Sequence, residues 1–350
     1  MSLYCRKLDS MLKNILTRHK QSVKVKNNKE GQKMIQVENL SKVFDDFTAV
    51  DNLSFTVQPG EVLGFLGPNG AGKSTTMKII TGFISPTSGS VKINGQSVEL
   101  NPLAAQQQMG YLPEGAPAYG EMTVYAFLSF IADVRGLRGA DKQQRLNSVV
   151  DKVQLSAVLD KTIDTLSKGF ARRVGLAQAI MHDPQILILD EPTDGLDPNQ
   201  KHQVRELIKG LAKDKIVIIS THILEEVSAV CSRALIIDHG RLLLDGKPSE
   251  LEKHSRHHNA IRLLLADQQH NVKAILSAIE RIDSVEVLDQ RSFMIFPKEG
   301  EMLLPEVVRC IDENNWQVEN LHLEKGRLED VFRDVTGFSH GTAAGEHNAI

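Results

Sequence analysis

Long apolar runs are missing from this 350-residue chain: no stretch approaches 18 consecutive apolar residues, so no segment is expected to cross a membrane as a helix. Cysteine is scarce. Cys5, Cys231 and Cys310 are odd in number and far apart, which argues against a disulfide framework, leaves no metal-ligand spacing and fits a reducing cytosol. No heptad repeat predicts a coiled coil. The first residues lack both the long apolar core and the small-residue cleavage site of a signal peptide. What is present is the composition of an ordinary globular protein, 41% hydrophobic and 24% charged, with a length that suggests two domains.

The net charge of −3 conceals an asymmetry. Residues 1–33 hold nine Lys/Arg against two Asp/Glu, leaving 32 basic and 42 acidic residues in the remainder. Within that basic extension, which is expected to be flexible, Leu8, Met11, Leu12, Ile15 and Leu16 recur at helical spacing. Two readings stay open: a basic amphipathic helix on an anionic membrane face, or a solvated extension that precedes the true start at Met34.

The densest chemistry lies in Gly67-Pro68-Asn69-Gly70-Ala71-Gly72-Lys73-Ser74-Thr75, which matches G-x-x-x-x-G-K-[ST]. Glycines let the backbone fold so that successive N–H groups face phosphate oxygens, and the start of the next helix adds partial positive charge. Lys73 is then placed to neutralise the β- and γ-phosphates of ATP and Ser74 to ligate Mg²⁺. A chance match is expected in about 1% of chains of this length. The flanks fit as well: EVLGFLG reads as a buried strand and STTMKIITG as a helix ending at Gly82.

Downstream, PQILILDEP puts an apolar run before two carboxylates, the pattern of a buried parallel strand whose C-terminal end opens onto a site. Asp190 is positioned to hold Mg²⁺ through water and Glu191 to act as general base on the attacking water. Taken alone, the run is equally any core strand with a polar end. His222, directly after IVIIST, points into the same crevice if that segment is a parallel strand.

Five segments in fixed order, GPNGAGKST, YLPE, LSKGF, LILDEPTDGLD and STH, carry a family resemblance. LSKGF (Leu166 to Phe170), followed by Arg173, resembles the LSGGQ signature of ATP-binding cassette (ABC) proteins, and His222 stands like their switch histidine. The resemblance covers about residues 34–250. It implies that Phe44, 29 residues before Lys73, stacks on adenine, and that Asp194 to Asp197 forms the loop linking two active sites. It further implies a head-to-tail dimer with two ATP molecules between the Lys73 loop of one copy and Ser167 and Gly169 of the other. Ser167 is also a natural helix N-cap, and the Gly169 amide is an orphan donor of a first helical turn. Without the family, LSKGFARRVGLAQAI is simply a capped amphipathic helix.

Two departures from the family pattern stand out. Glu114 replaces the usual glutamine 41 residues after Lys73; it keeps an oxygen that can approach nucleotide and Mg²⁺, loses the amide donor and adds negative charge. Lys168 and Phe170 replace glycine and glutamine in the signature but spare Ser167 and Gly169.

The resulting fold expectation is α/β: a P-loop NTPase cassette over residues 34–253, with a RecA-like core, an antiparallel β-subdomain from MIQVENL, LSFTV and SVKING, and a helical subdomain from TVYAFLSFIADVRG and DKQQRLNSVVDKV. PAYGEMTV, just after Glu114, is expected at a contact with a membrane subunit. A His- and charge-rich linker then leads to a small C-terminal α+β, ferredoxin-like unit within 258–338, read as strand 260–266, helix 272–282, strands 285–288 and 292–296, helix 302–314 and strand 317–324. Nothing in it has catalytic spacing. RLEDVFRDVTG (327–337) resembles the closing helix of exporter-type cassette ATPases, and the last residues, 339–350, are expected to be disordered.

The resemblance thus implies an ATP-hydrolysing subunit of an exporter-type ABC transporter, similar to those of multidrug and gliding-motility systems. Its expected setting is peripheral, at the cytoplasmic face of the inner membrane, as a homodimer or a heterodimer with a related ATPase, beside a separate transmembrane permease. Three alternatives are weighed. Ribosome- and DNA-acting cassette ATPases usually carry paired cassettes or coiled coils, so no nucleic-acid partner is expected. A regulatory module without turnover is disfavoured by Glu191 and His222, and an importer ATPase by the 327–337 segment.

Overall fold

The computed structural model describes residues 34–115 and 118–337. The basic extension, the C-terminal tail and part of the PAYGEMTV segment lie outside that range.

Chain order builds two layers before it closes the site. Strands β1 (Ile35–Phe44) and β2 (Phe47–Val57) form a hairpin; β3 (Val62–Leu66) runs into the glycine loop, from which α1 (Lys73–Ile80) emerges. Strands β4 (Ser88–Ile93) and β5 (Gln96–Ser97), helix α2 (Pro102–Gln108) and strand β6 (Met109–Leu112) follow. Helices α3 (Val124–Val134) and α4 (Gly139–Lys152) precede α5 (Lys168–Ile180). Then come β7 (Ile186–Asp190), α6 (Pro198–Ala212), β8 (Ile216–Thr221), α7 (Leu224–Val230), β9 (Arg233–Asp238), β10 (Arg241–Gly246) and α8 (Pro248–Leu251).

A six-stranded sheet in the order β10-β9-β3-β8-β7-β6 is parallel except for its antiparallel edge β10. Its central strands β3, β7 and β8 are buried along their whole length, as expected where both sheet faces are covered. Alternation sends Leu63, Phe65, Ile186, Ile188, Ile216 and Ile218 into a core shared with α1 and the antiparallel sheet β2-β1-β4-β5. Val62, Leu66, Leu187, Leu189, Val217 and Ile219 enter the opposite core, shared with α3 to α6. The parallel strands therefore cannot slip by one residue without exchanging their two apolar faces.

The C-terminal segment forms its own sheet from β11 (Ile261–Leu265), β12 (Ile282–Val287), β13 (Ser292–Pro297) and β14 (Val318–Leu323), with α9 (Val272–Ser277) and α10 (Leu304–Glu313) as connections. The element order is β-α-β-β-α-β, and the sheet, β12-β13-β11-β14, is antiparallel throughout. Most boundaries lie within two residues of the sequence expectation, and the largest difference is at the first helix and the strand after it. The helix predicted over 272–282 ends at Ser277, and Ile282 instead opens β12 opposite Pro297. Ile275, Ile279 and Ile282 fit a helical stripe, but Ile282 with Val285 also fits the buried positions of the strand, and pairing with β13 prevails.

The last helix, α11 (Leu328–Thr336), does not join this second core. Leu328 and Val331 are buried in the first one, where α11 packs against α7 and α8. The chain thus leaves the cassette, builds a separate sheet and returns.

Candidate active site

Four chain segments converge at the C-terminal ends of the parallel strands, where open α/β sheets place their ligand crevices. After β3, the loop turns through Gly70 and Gly72, whose φ values of 82° and 96° suit glycine. Gly72 is also sterically bound to be glycine, because a Cβ there lies 2.3 Å from the Ala49 carbonyl oxygen on β2. The same strand is tied to the sheet by the Asp51 N–H, which donates to Gly240 O at 2.9 Å. Phe44, at the tip of the β1–β2 hairpin and opposite Phe47, is 44% exposed and carries the Lys42 ammonium 4.9 Å above its ring. An aromatic face available at this place suits stacking.

Lys73 begins α1 and is buried, its Nζ donating to Gly67 O at 2.7 Å and Pro68 O at 3.0 Å. Burial pulls its pKa below the ordinary lysine value, opposed by the charges of Glu191, Asp190 and Glu114. Ser74 and Thr75 follow in the same first turn and are half-buried. Asn69 is exposed and Ala71 buried against the sheet.

The carboxylate pair sits at the end of β7. Asp190 is 1% exposed and accepts a hydrogen bond from the Ser220 hydroxyl on β8. Ser220 Oγ also accepts from the Glu191 N–H at 3.1 Å, so one hydroxyl bridges both residues. Glu191 has a φ of 50°, a left-handed backbone that a non-glycine residue keeps only when its surroundings impose it. His222 Nδ1 lies 3.0 Å from Glu191 Oε1. Burial raises the Glu191 pKa, while His222, Lys73 and Asp190 act on it from its surroundings, the first two lowering it and the third raising it.

Glu114 follows β6 and is exposed, yet its charge acts on Lys73, Tyr111 and Arg172. The Tyr111 hydroxyl is buried without a hydrogen-bond partner, and burial, with Asp190 and Glu114, pushes its pKa up to about 12. Ser167 N-caps α5 by accepting from Phe170 N–H at 3.4 Å. Within one chain, Ser167 and Gly169 make no hydrogen bond to the Lys73 loop among the described residues; Ser167 is exposed and Gly169 lies against the Gln200 side chain of α6. Asp197 N-caps α6 through Gln200 N–H at 2.9 Å.

Two residues central to this geometry are absent from the sequence reading. Arg172 is buried, and its guanidinium donates to the carbonyls of Pro113, Asp190 and Glu191. It lies one turn beyond Gly169, on the same helix face, whereas Arg173 turns away to Gln154 and Gln203. Glu226, 5% exposed, accepts from the hydroxyls of Thr193 and Thr221, joining the segment after Glu191 to the one before His222. The helical phase of 169 and 172 was the available signal for the first; a buried glutamate within an acidic turn gives none.

The donor set fits the groups implied by the sequence. The loop amides and Lys73 suit a triphosphate, while the oxygens of Ser74, Asp190 and Glu114 are the hard ligands preferred by Mg²⁺.

Comparison with known proteins matches the family described as ABC transporter over residues 50–194, a span that holds the glycine loop, Glu114, Ser167 and both carboxylates. A probable multidrug ABC transporter ATP-binding protein of Escherichia coli is 36% identical over 226 residues, 64% of this chain. The chain spans 39% of that relative's length. The Nod factor export ATP-binding protein I of Cupriavidus metallidurans is 35% identical over 219 residues, 62% of this chain and 72% of the relative. A solved ATP-binding subunit of an ABC transporter superposes with a TM-score of 0.59 at 31% identity, over 63% of this chain and 92% of that one. With nearly three quarters of the Cupriavidus protein aligned at that identity, and the aligned architecture that of a solved ATP-binding subunit, the chain belongs to the ATP-binding proteins of the ABC transporter family.

Proposed function

We propose that this chain binds and hydrolyses ATP as the nucleotide-binding subunit of an exporter-type ABC transporter. The observation that carries the reading is the convergence of Lys73, Asp190, Glu191 and His222 on one crevice, with the His222–Glu191 contact at 3.0 Å. In this reading the amides of Gly70 to Ser74 and the Lys73 ammonium bind the phosphates, and Phe44 stacks on the base. Glu191, its basicity raised by burial, takes the proton of the attacking water, while His222 orients the carboxylate and meets the γ-phosphate. Ser74, Asp190 and Glu114 would hold Mg²⁺, which would supply charge neutralisation to the phosphates.

The site in one chain is only half of the proposed machine. Ser167 is exposed at a helix N-terminus, so its hydroxyl is available to a γ-phosphate delivered by a second copy or a related subunit, whereas the buried Gly169 would first have to be uncovered from the Gln200 side chain. The relatives named for multidrug transport and for Nod factor export support export over import. No described helix is long and apolar enough to cross a membrane, which is consistent with a separate permease and with a peripheral position at the cytoplasmic membrane face.

The test is E191Q. It should bind ATP, fail to release phosphate and elute as a dimer in ATP; a variant that binds ATP and stays monomeric removes the two-site sandwich.

A further inference from the structure

Neither nucleotide binding nor proton transfer accounts for Arg172. It stands in the second turn of α5, the helix capped by Ser167, and is 6% exposed. A buried guanidinium is costly unless its donors are used. One terminal nitrogen donates to Pro113 O at 3.2 Å, the residue immediately before Glu114; the other donates to the carbonyl oxygens of Asp190 and Glu191. Two segments that approach the crevice from neighbouring strands, one after β6 and one at the end of β7, are therefore pinned to a single side chain.

The charges around it are of one sign. The carboxylates that act on it electrostatically are Asp194, Asp190, Glu191 and Glu114. Glu114 is the one carboxylate of these that the common family pattern replaces with a neutral amide. At this position the chain adds a negative charge to a site that must also accept a triphosphate.

We propose that Arg172 is a positioning residue that holds the backbone of Glu191 against the segment bearing Glu114, and that it supplies the compensating charge that makes a carboxylate workable at residue 114. This rests on the ATPase reading above. The left-handed backbone at Glu191 needs something to impose it, and the guanidinium bond to the Glu191 carbonyl acts together with the Ser220 bond to its amide. Because both terminal nitrogens of Arg172 are engaged by backbone carbonyls, its loss acts on the placement of the base more than on affinity for nucleotide.

A double-variant cycle at saturating Mg²⁺ tests this, with kcat and KM for ATP measured on the full chain. R172Q should lower kcat at least tenfold with KM changed less than threefold. E114Q, which removes a carboxylate that the ATPase reading assigns to Mg²⁺, supplies the baseline: its own kcat, whatever it is, is the reference for the effect of R172Q in the double variant. Against that reference R172Q/E114Q should recover at least threefold of the loss, since the uncompensated charge is gone. R172K, which keeps the charge, should lose less than R172Q and gain nothing from E114Q. Multiplicative losses in the double variant, or a loss carried by KM, overturn the proposal. If R172Q does not purify folded, the cycle run from R172K decides the matter: improvement of R172K by E114Q overturns the proposal, and its absence sustains it. Wild type and E191Q, assayed alongside, separate the two readings: no ATP turnover by wild type removes the ATPase assignment itself, and undiminished turnover in E191Q removes Glu191 as the base, whatever Arg172 does.

Discussion

His222 Nδ1 and Glu191 Oε1, 31 residues apart in sequence, stand 3.0 Å apart across the ends of two neighbouring parallel strands. The imidazole is half exposed and the carboxylate nearly buried, with side-chain exposures of 53% and 13%. The contact therefore orients a base from the solvent side of the crevice, where the histidine also has room to meet a phosphate. Replacing His222 by Ala should leave ATP binding within about threefold and lower kcat by roughly 10²–10³, the range for losing a group that orients a catalytic base. Steady-state phosphate release checks it; a kcat within twofold of wild type would mean that Glu191 needs no such orientation.

Ser220 offers a second test of the same geometry. Its hydroxyl donates to Asp190 and accepts from the Glu191 N–H, so S220A leaves a buried carboxylate oxygen and a buried amide each without that partner. The expected cost is about 1–3 kcal/mol of positioning, or roughly fivefold to 150-fold in kcat at saturating nucleotide. The comparison to make is with S220T, which restores a hydroxyl. Should the alanine and threonine variants turn over equally, the bridge has no catalytic consequence.

Much of this crevice was legible in the sequence because its residues are set by local requirements. A glycine loop after an apolar strand admits few other readings, and the runs LGFL, ILIL and IVII announced strands buried on both faces. Arg172 was hidden because two adjacent arginines look alike until the helix phase assigns one to the crevice and the other to Gln154 and Gln203. The destination of α11 was hidden for a different reason. Leu328, Val331, Phe332 and Val335 describe an apolar stripe, but a stripe does not name the surface that covers it, and here that surface belongs to a part of the chain completed about 75 residues earlier.

Acid sensitivity should come in part from His182, just beyond α5. Its Nε2 meets Met109 O at 3.0 Å, and its Nδ1 is buried without a partner. Burial, with Arg135 the largest of the nearby cationic influences, lowers its pKa to about 4. In the unfolded chain the same imidazole protonates near its ordinary value, so below about pH 6.5 the unfolded state binds the proton that the folded state refuses. Stability should fall by about 1.4 kcal/mol per pH unit from this group between roughly pH 6.5 and 4, then level off. Urea unfolding of wild type and H182Q at pH 7.5 and 5 is the measurement. The variant should gain on wild type as the pH falls, and parallel curves would exclude His182 as a source.

The return of α11 to the cassette predicts that residues near the end of the described chain stabilise a core built mostly from residues before 252. Leu328 is 4% exposed and Val331 2% exposed within that core, and Asp330 secures the approach by accepting from Ser255 Oγ at 2.7 Å, with His257 Nδ1 2.6 Å away. Leu328→Ala removes buried methyl groups at a junction between helices, so about 2–4 kcal/mol should be lost. Because the second sheet has its own core of Leu263, Ile295 and Trp316 among others, the loss should appear in the transition that also releases bound nucleotide, leaving any separate transition of the C-terminal sheet in place. Thermal unfolding with and without ATP distinguishes the cases. A drop confined to a nucleotide-insensitive transition would place α11 energetically with the second sheet, whereas a drop in the nucleotide-sensitive one makes the closing helix a structural part of the ATP-binding unit.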